Sequence, residues 1–258
     1  MNELTVIIPV HKFDDSVGAL LDRAIASVET DINIYISTTT DLTDKIKSFS
    51  SKYKERGINV VSLDNKSDFQ TLVNNAVESL DSEYFSILEY DDEYTKIWFG
   101  EVYEYLQYKP DVSVFLPLED IIDFNNKTFI SFGNEAPWAS SFSNEIGYID
   151  LDCLTNFFDF YLTGAVFNVK DWKSIGGLKD NIKLTFWYEF LMRATHKGKK
   201  VFVIPKVGYV HYLGREDSLI EEYKKTVDDK ESKYWVDVAR KEYMFKKRDI
   251  APYDEGKQ

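Results

Sequence analysis

Apolar residues along the first third of the chain follow two alternating periods. Short β-branched runs at 5–10, 32–36, 58–63 and 84–88 read as buried strands. Between them the period is helical. Val17, Leu20, Leu21, Ala24, Ile25 and Val28 make one face of a helix with Ser16 as its cap. A weaker helix over 42–53 turns Ile46 and Phe49 inward and stops at Gly57. Phe69, Leu72, Val73, Ala76, Val77 and Leu80 share a face of a third helix, capped by Asp68. Strand and helix in alternation predict an α/β fold, its central sheet mostly parallel with helices on both faces. Ligands of such sheets bind beyond the carboxyl ends of the strands. Here those ends are Val10-His11 and the acidic run at 89–93.

The rest of the chain is less regular. A helix over 98–106 ends at Pro110, and 112–116 reads as a strand. Residues 119–160 lack a strong pattern and are expected to be long loops and short elements around a site. A strand over 164–169, a turn at Ile175-Gly-Gly-Leu178, a helix over 186–194 and a strand over 201–205 follow. The charged segment 221–245 is helical. There is no repeat and no linker.

Composition narrows the function. With 44 acids against 31 bases and a net charge of −13, the chain lacks the basic face that broad nucleic-acid binding needs. It has no apolar run near the roughly 20 residues that span a bilayer, no basic amphipathic face for a membrane surface, and no basic leader at its start. One cysteine, Cys153, and three histidines speak against a disulfide framework and a Cys- or His-rich zinc site. The aromatic share of 16% reads either as a Tyr/Phe-rich core or as a stacking platform for a base or sugar. Glu89, Asp91 and Asp92 repel one another at a strand end. They form either a solvated turn or the ligands of a hard divalent cation on a diphosphate.

In this order the segments resemble the GT-A glycosyltransferases of family 2. The family opens on a Val-Ile-Ile-Pro-type strand, as at 5–10 here, and carries an Asp-x-Asp-type motif after its fourth strand, matched by Glu89-Tyr-Asp91-Asp92. An Asn-bearing helix precedes that strand, matched by 65–76 with Asn74 and Asn75. Gly164-Ala-Val-Phe-Asn, Ile175-Gly-Gly-Leu178 and Tyr188-Glu-Phe-Leu-Met-Arg193 follow the order of the acceptor-side motifs. The resemblance covers 4–219 and has a flavour of phage-encoded members. It implies a GT-A domain over 1–217, with a nucleotide-binding half at 1–93 and an acceptor half at 94–217, then a helical extension over 218–258. It also implies a cytoplasmic enzyme, in the host cytoplasm if phage-encoded. Such an enzyme transfers a sugar from a nucleotide-sugar, a UDP-sugar favoured, to a hydroxyl of a glycan, protein or small molecule. Mn²⁺ or Mg²⁺ is the implied cofactor, and inversion the implied stereochemistry.

Residue by residue, Asp91 matches the metal-binding carboxylate, and Asp92 its neighbour on a sugar hydroxyl or metal-bound water. Glu89 replaces the usual first Asp. Pro9, His11 and Asn74 fall beside the nucleotide. His211 or Arg215, after the last strand, would touch the metal or the diphosphate.

Two places depart from the family. Where an acid reads the base, Ser37-Thr-Thr-Thr40 stands, so Thr38 or the following Asp41 would have to do so. Where the family has Glu-Asp with its base, Phe186 and Trp187 stand. Glu189 is the nearest carboxylate, either as base or as an i,i+4 partner of Arg193, and Asp180 is the second candidate. Trp187 is then free to stack on the acceptor. Trp138 reads as an acceptor wall or as a packed Pro-Trp corner. The competing function is a degenerate member that binds without turnover or serves as a structural component, such as part of a virion. A nucleotidyltransferase would need a Gly-rich loop after the first strand, and Val10-His-Lys-Phe-Asp-Asp15 has no glycine.

Overall fold

The computed structural model describes residues 4–62, 65, 68–139 and 142–244. Its centre is β1 (Leu4–Val10), buried at every position. Val6 and Ile8 enter one apolar layer and Ile7 the other, so a continuous apolar run is what a strand covered on both faces requires. Beside it run β2 (Asn33–Thr38) and β4 (Tyr84–Ile87), both parallel, with β3 (Asn59–Val61) outside β2. Leu63, expected in that third strand, lies outside the described residues. α1 (Asp15–Ser27), α2 (Thr43–Ser50) and α3 (Phe69–Glu78) are the connecting helices. Asp14, not Ser16, caps α1. Its carboxylate accepts from Val17 N at 2.9 Å, and the Ser16 hydroxyl donates to the same group.

The remaining strands are β5 (Glu93–Tyr94), β6 (Val112–Asp123), β7 (Phe129–Gly133), β8 (Val166–Asn168) and β9 (Lys200–Leu213). The sheet runs β3-β2-β1-β4-β8-β6-β9-β5, with β7 paired to β6. It is mixed: β8 is antiparallel to both β4 and β6, and β5 is antiparallel to β9.

Two expectations about the second half are adjusted. Residues 119–160 hold the expected loops and short elements, but they open on the end of a long strand, since β6 continues to Asp123 and turns into β7. The acids Glu119, Asp120 and Asp123 disguise the strand, although Glu119 and Ile121 alternate inward with period two. The strand expected over 201–205 is longer at both ends and carries His211.

The later helices are α4 (Trp98–Tyr108), α5 (Leu151–Asn156), α6 (Val169–Ile175), α7 (Phe186–His196), α8 (Leu219–Thr226) and α9 (Asp229–Tyr243). The helical segment expected over 221–245 is two helices, because Asp228 caps the second by accepting from Glu231 N. Phe245 lies outside the described residues. α9 docks on α7, with Ala239 and Tyr243 in the shared core.

Candidate active site

The chain leaves β1 at Val10-His11 and β4 at Leu88-Glu89, side by side. Leu88 N still donates to Ile7 O at 2.9 Å. The acidic run then turns sharply, with Asp92 N donating to Glu89 O at 3.0 Å. Glu89 N donates to the buried Tyr209 hydroxyl at 3.1 Å. Tyr209 leaves no room over Gly164, which has φ +76°. A Cβ there would sit 2.5 Å from the Tyr209 ring. β9 thereby braces the turn from the far side of the sheet.

Asp92 is wholly enclosed. Its Oδ2 is 2.9 Å from His211 Nδ1, and its Oδ1 accepts from Tyr212 N at 2.8 Å. Burial alone would lower the His211 pKa, but Asp92, aided by Glu119 and Glu89, raises it to about 10. Glu89 is driven the other way from a normal acid, up to about 8, by burial and then by Asp92 and Asp91. Glu89, Asp92 and His211 offer ligand atoms that all lie within 4.8 Å of one another. Two carboxylates and an imidazole at that spacing fit a divalent ion of the Mn²⁺ kind.

Asp91 does not belong to that trio. Its Oδ2 accepts from Arg215 Nε at 2.8 Å, and Arg215 also donates to the Tyr90 hydroxyl and to Asp217. The expectation that Asp91 and His211 form the metal pair is thus corrected: His211 meets Asp92 and Glu89, while Asp91 meets a guanidinium. Arg215, expected at the diphosphate, is paired with Asp91 in this structure.

Two small cavities of about 20 Å³ each flank these side chains. One is lined by Pro9, His11, Phe69, Glu89, Asp91 and Arg215, and Ser218 borders both. The covering segment is residues 213–221, tied down by Lys12, which bonds Asp217, and by the Tyr223 hydroxyl, which accepts from Phe69 N. Among the described residues the buried His11 Nε2 has no hydrogen-bond partner. Burial, then Lys12 and Arg215, lowers its pKa to about 4.

Other expected site residues lie elsewhere. The buried Thr38 hydroxyl is spent on Val10 O at 2.8 Å. Asp41 is exposed in the turn after β2. Asn74 does not face a nucleotide, because its side-chain amide clamps both the N–H and the carbonyl of Leu178. Trp138 is exposed, with its indole donating to Val203 O and its ring against Phe202. Trp187 leans on Phe69 and Phe186 at the rim of the cleft.

Glu189 is removed as a base. It is buried, with both oxygens on Arg193 at 2.9 Å and Oε1 also held by Lys179 and the Tyr243 hydroxyl. α9 joins this network through the Tyr243 hydroxyl. Asp180 is exposed after the Gly-Gly turn, on a loop that α3 anchors through Gln70, which donates to Ile182 O. The sequence reading missed Glu119, Tyr209 and Tyr90. Glu119 had one signal, an acid at an inward position of an alternating strand.

No curated protein matches the chain. Among solved structures, S. aureus TarS 1-349 in complex with UDP-GlcNAc matches with a TM-score of 0.67 and 15% identity, over 95% of this chain and 68% of that one. Another TarS 1-349 structure matches with a TM-score of 0.59 and 15% identity, over 81% of this chain and 60% of that one. A mannosyltransferase, PcManGT from Pyrobaculum calidifontis in complex with GDP-Man and Mn²⁺, matches at 0.61 and 12% identity, over 84% of this chain and 58% of that one. The chain thus spans 58–68% of the length of these structures, and such distant likeness speaks for the GT-A fold. The family model for glycosyl transferase family 2 matches residues 5–165, more than half of the chain and the whole run from β1 through the acidic turn to the start of β8. With the fold, the acidic turn and this match in agreement, the chain belongs to glycosyl transferase family 2.

Proposed function

We propose that the protein transfers a sugar from a nucleotide-diphosphate sugar, a UDP-sugar favoured, to an acceptor hydroxyl. The observation that carries this reading is the Glu89, Asp92 and His211 trio at the carboxyl end of β4. These side chains would hold Mn²⁺ or Mg²⁺, with the imidazole favouring Mn²⁺. Such an ion neutralises the diphosphate that departs as the glycosidic bond breaks. His211, kept protonated by Asp92, adds positive charge beside the leaving group when no ion is held. Pro9 and His11 face the nucleotide side. Arg215 must exchange Asp91 for the donor's phosphates, because the present cavities do not admit a nucleotide-sugar. Phe69 and Trp187 form the apolar rim toward the acceptor. Asp180, on the loop after the Gly-Gly turn, takes the acceptor's proton, with inversion at the anomeric carbon.

A second reading has one specific observation in its favour. α7 begins with Phe186 and Trp187, and its only carboxylate, Glu189, is locked in an ion pair. A chain without a base would bind the donor and turn it over slowly, as a binding or structural component. Release of free nucleotide from UDP-, GDP- and dTDP-sugars, measured with Mn²⁺ and with EDTA, separates the two. Metal-dependent release that falls at least about 100-fold in Asp180→Asn supports the enzyme. Donor binding without release supports the second reading.

A further inference from the structure

Glu119 has no role in the arrangement above, and its position is costly. It is fully buried on β6, and neither carboxylate oxygen has a hydrogen-bond partner among the described residues. A buried acid is normally neutralised by a donor, a cation or a proton. The strand register shows where it points. Glu119 pairs with Tyr209 on β9, and Ile121, two residues on, pairs with His211. Paired positions share a face of the sheet, so Glu119, Tyr209 and His211 face the same side. Tyr209 reaches Glu89 N from that face, and His211 reaches Asp92. The charged groups that bear on Glu119 are His211, Asp92 and Glu89, the cation trio itself.

The local charge balance is also incomplete. Three carboxylates, Glu89, Asp92 and Glu119, share one imidazole, while Arg215 is engaged by Asp91 and Asp217. Glu119 is not among the groups whose ligand atoms lie within 4.8 Å of one another, so it stands outside the trio, on the face of the sheet that it shares with His211.

We propose that Glu119 is a positioning residue of a divalent-cation site: its carboxylate accepts a hydrogen bond from water bound to an ion held by Glu89, Asp92 and His211. This rests on reading the trio as a cation site. Carboxylates placed this way orient the ligands of an ion, and their loss typically weakens metal binding by about 10–100-fold.

The test is Mn²⁺ binding to the full chain without nucleotide, read from the free-ion electron paramagnetic resonance signal, with proton couplings of bound water measured on the complex. Wild type, Glu119→Gln, Glu119→Leu and Asp92→Asn are compared, each first melted in EDTA. The expected result is one tight Mn²⁺ in wild type and none in Asp92→Asn. Both Glu119 variants should bind about 10–100-fold more weakly, with altered water couplings and an apo melting temperature no lower than wild type. Glu119→Leu keeps the test open if the amide variant does not fold. Unchanged affinity and unchanged couplings in the Glu119 variants, with Asp92→Asn inactive in binding, would overturn the role of Glu119 and leave the cation site standing. No Mn²⁺ bound by wild type would overturn the cation site, and the inference with it.

Discussion

At the residue scale, location separates groups that serve the site from groups that serve stability. Glu189 ties α7 to α9 through Arg193, Lys179 and Tyr243. Breaking a buried pair by removing one charge costs about 3–5 kcal/mol. Glu189→Gln should therefore lower stability in urea denaturation by about that amount, while donor binding per folded molecule is unchanged. His11 makes a prediction about pH. Its folded pKa of about 4 lies below the ordinary 6.5, so between these values the unfolded chain binds the extra proton. Stability from this group is present above 6.5 and is lost as pH falls toward 4. At pH 5 the loss reaches about 2 kcal/mol. Urea midpoints at pH 7 and pH 5 should show a smaller drop for His11→Asn than for wild type. Of the site, Glu89, Asp91 and Asp92 were legible because a buried strand runs straight into them. Which of them meets which cation was not, because His211 and Arg215 arrive from more than a hundred residues away in sequence. Glu119 was hidden because an acid inside a strand breaks the apolar pattern that reveals strands.

At the element scale, β4, its turn and β9 are one unit, held at Gly164. A side chain there meets both a left-handed backbone and the Tyr209 ring. Gly164→Ala should cost roughly 2–4 kcal/mol by strain and overpacking, and should weaken Mn²⁺ binding by shifting Tyr209 off Glu89 N. Chemical denaturation and metal titration check the two effects separately. The cover over the site makes another prediction. Small-molecule sites occupy roughly 300–1,000 Å³, whereas each cavity beside Asp91 holds about 20 Å³. α8 has no buried residue of its own, so few contacts oppose its displacement. Amide exchange over residues 214–226 should therefore change on addition of Mn²⁺ and UDP, while β1 stays protected. Identical exchange in a complex shown to hold UDP would contradict a moving cover. α1 and α3 were readable because each carries a clean apolar face, and α2 less so, with Ile46 its one buried apolar residue. The second half of β6 and all of β7 were not, since acids interrupt the former and β7 is exposed at four of its five positions and so lacks a core-facing period.

For the whole molecule, the sequence order of strands and helices and the net charge of −13 pointed to an α/β fold that does not coat nucleic acid. Among the described residues no helix is long and apolar enough to cross a membrane. What the sequence left open is the antiparallel half of the sheet, β8, β7 and β5, whose pairing depends on contacts between distant segments. β9, parallel to β6 and antiparallel to β5, carries His211 to the acids, so the site exists only in the assembled sheet. The account holds that the carboxyl ends of β1 and β4, closed by β9, bind a nucleoside diphosphate through a divalent ion. Calorimetric titration of UDP, GDP and dTDP into the chain with Mn²⁺, and again in EDTA, measures this directly. The account predicts saturable binding of at least one nucleotide, UDP foremost, that EDTA abolishes and Asp92→Asn removes. Binding of equal strength in EDTA, or no binding of any of the three with Mn²⁺, would contradict it.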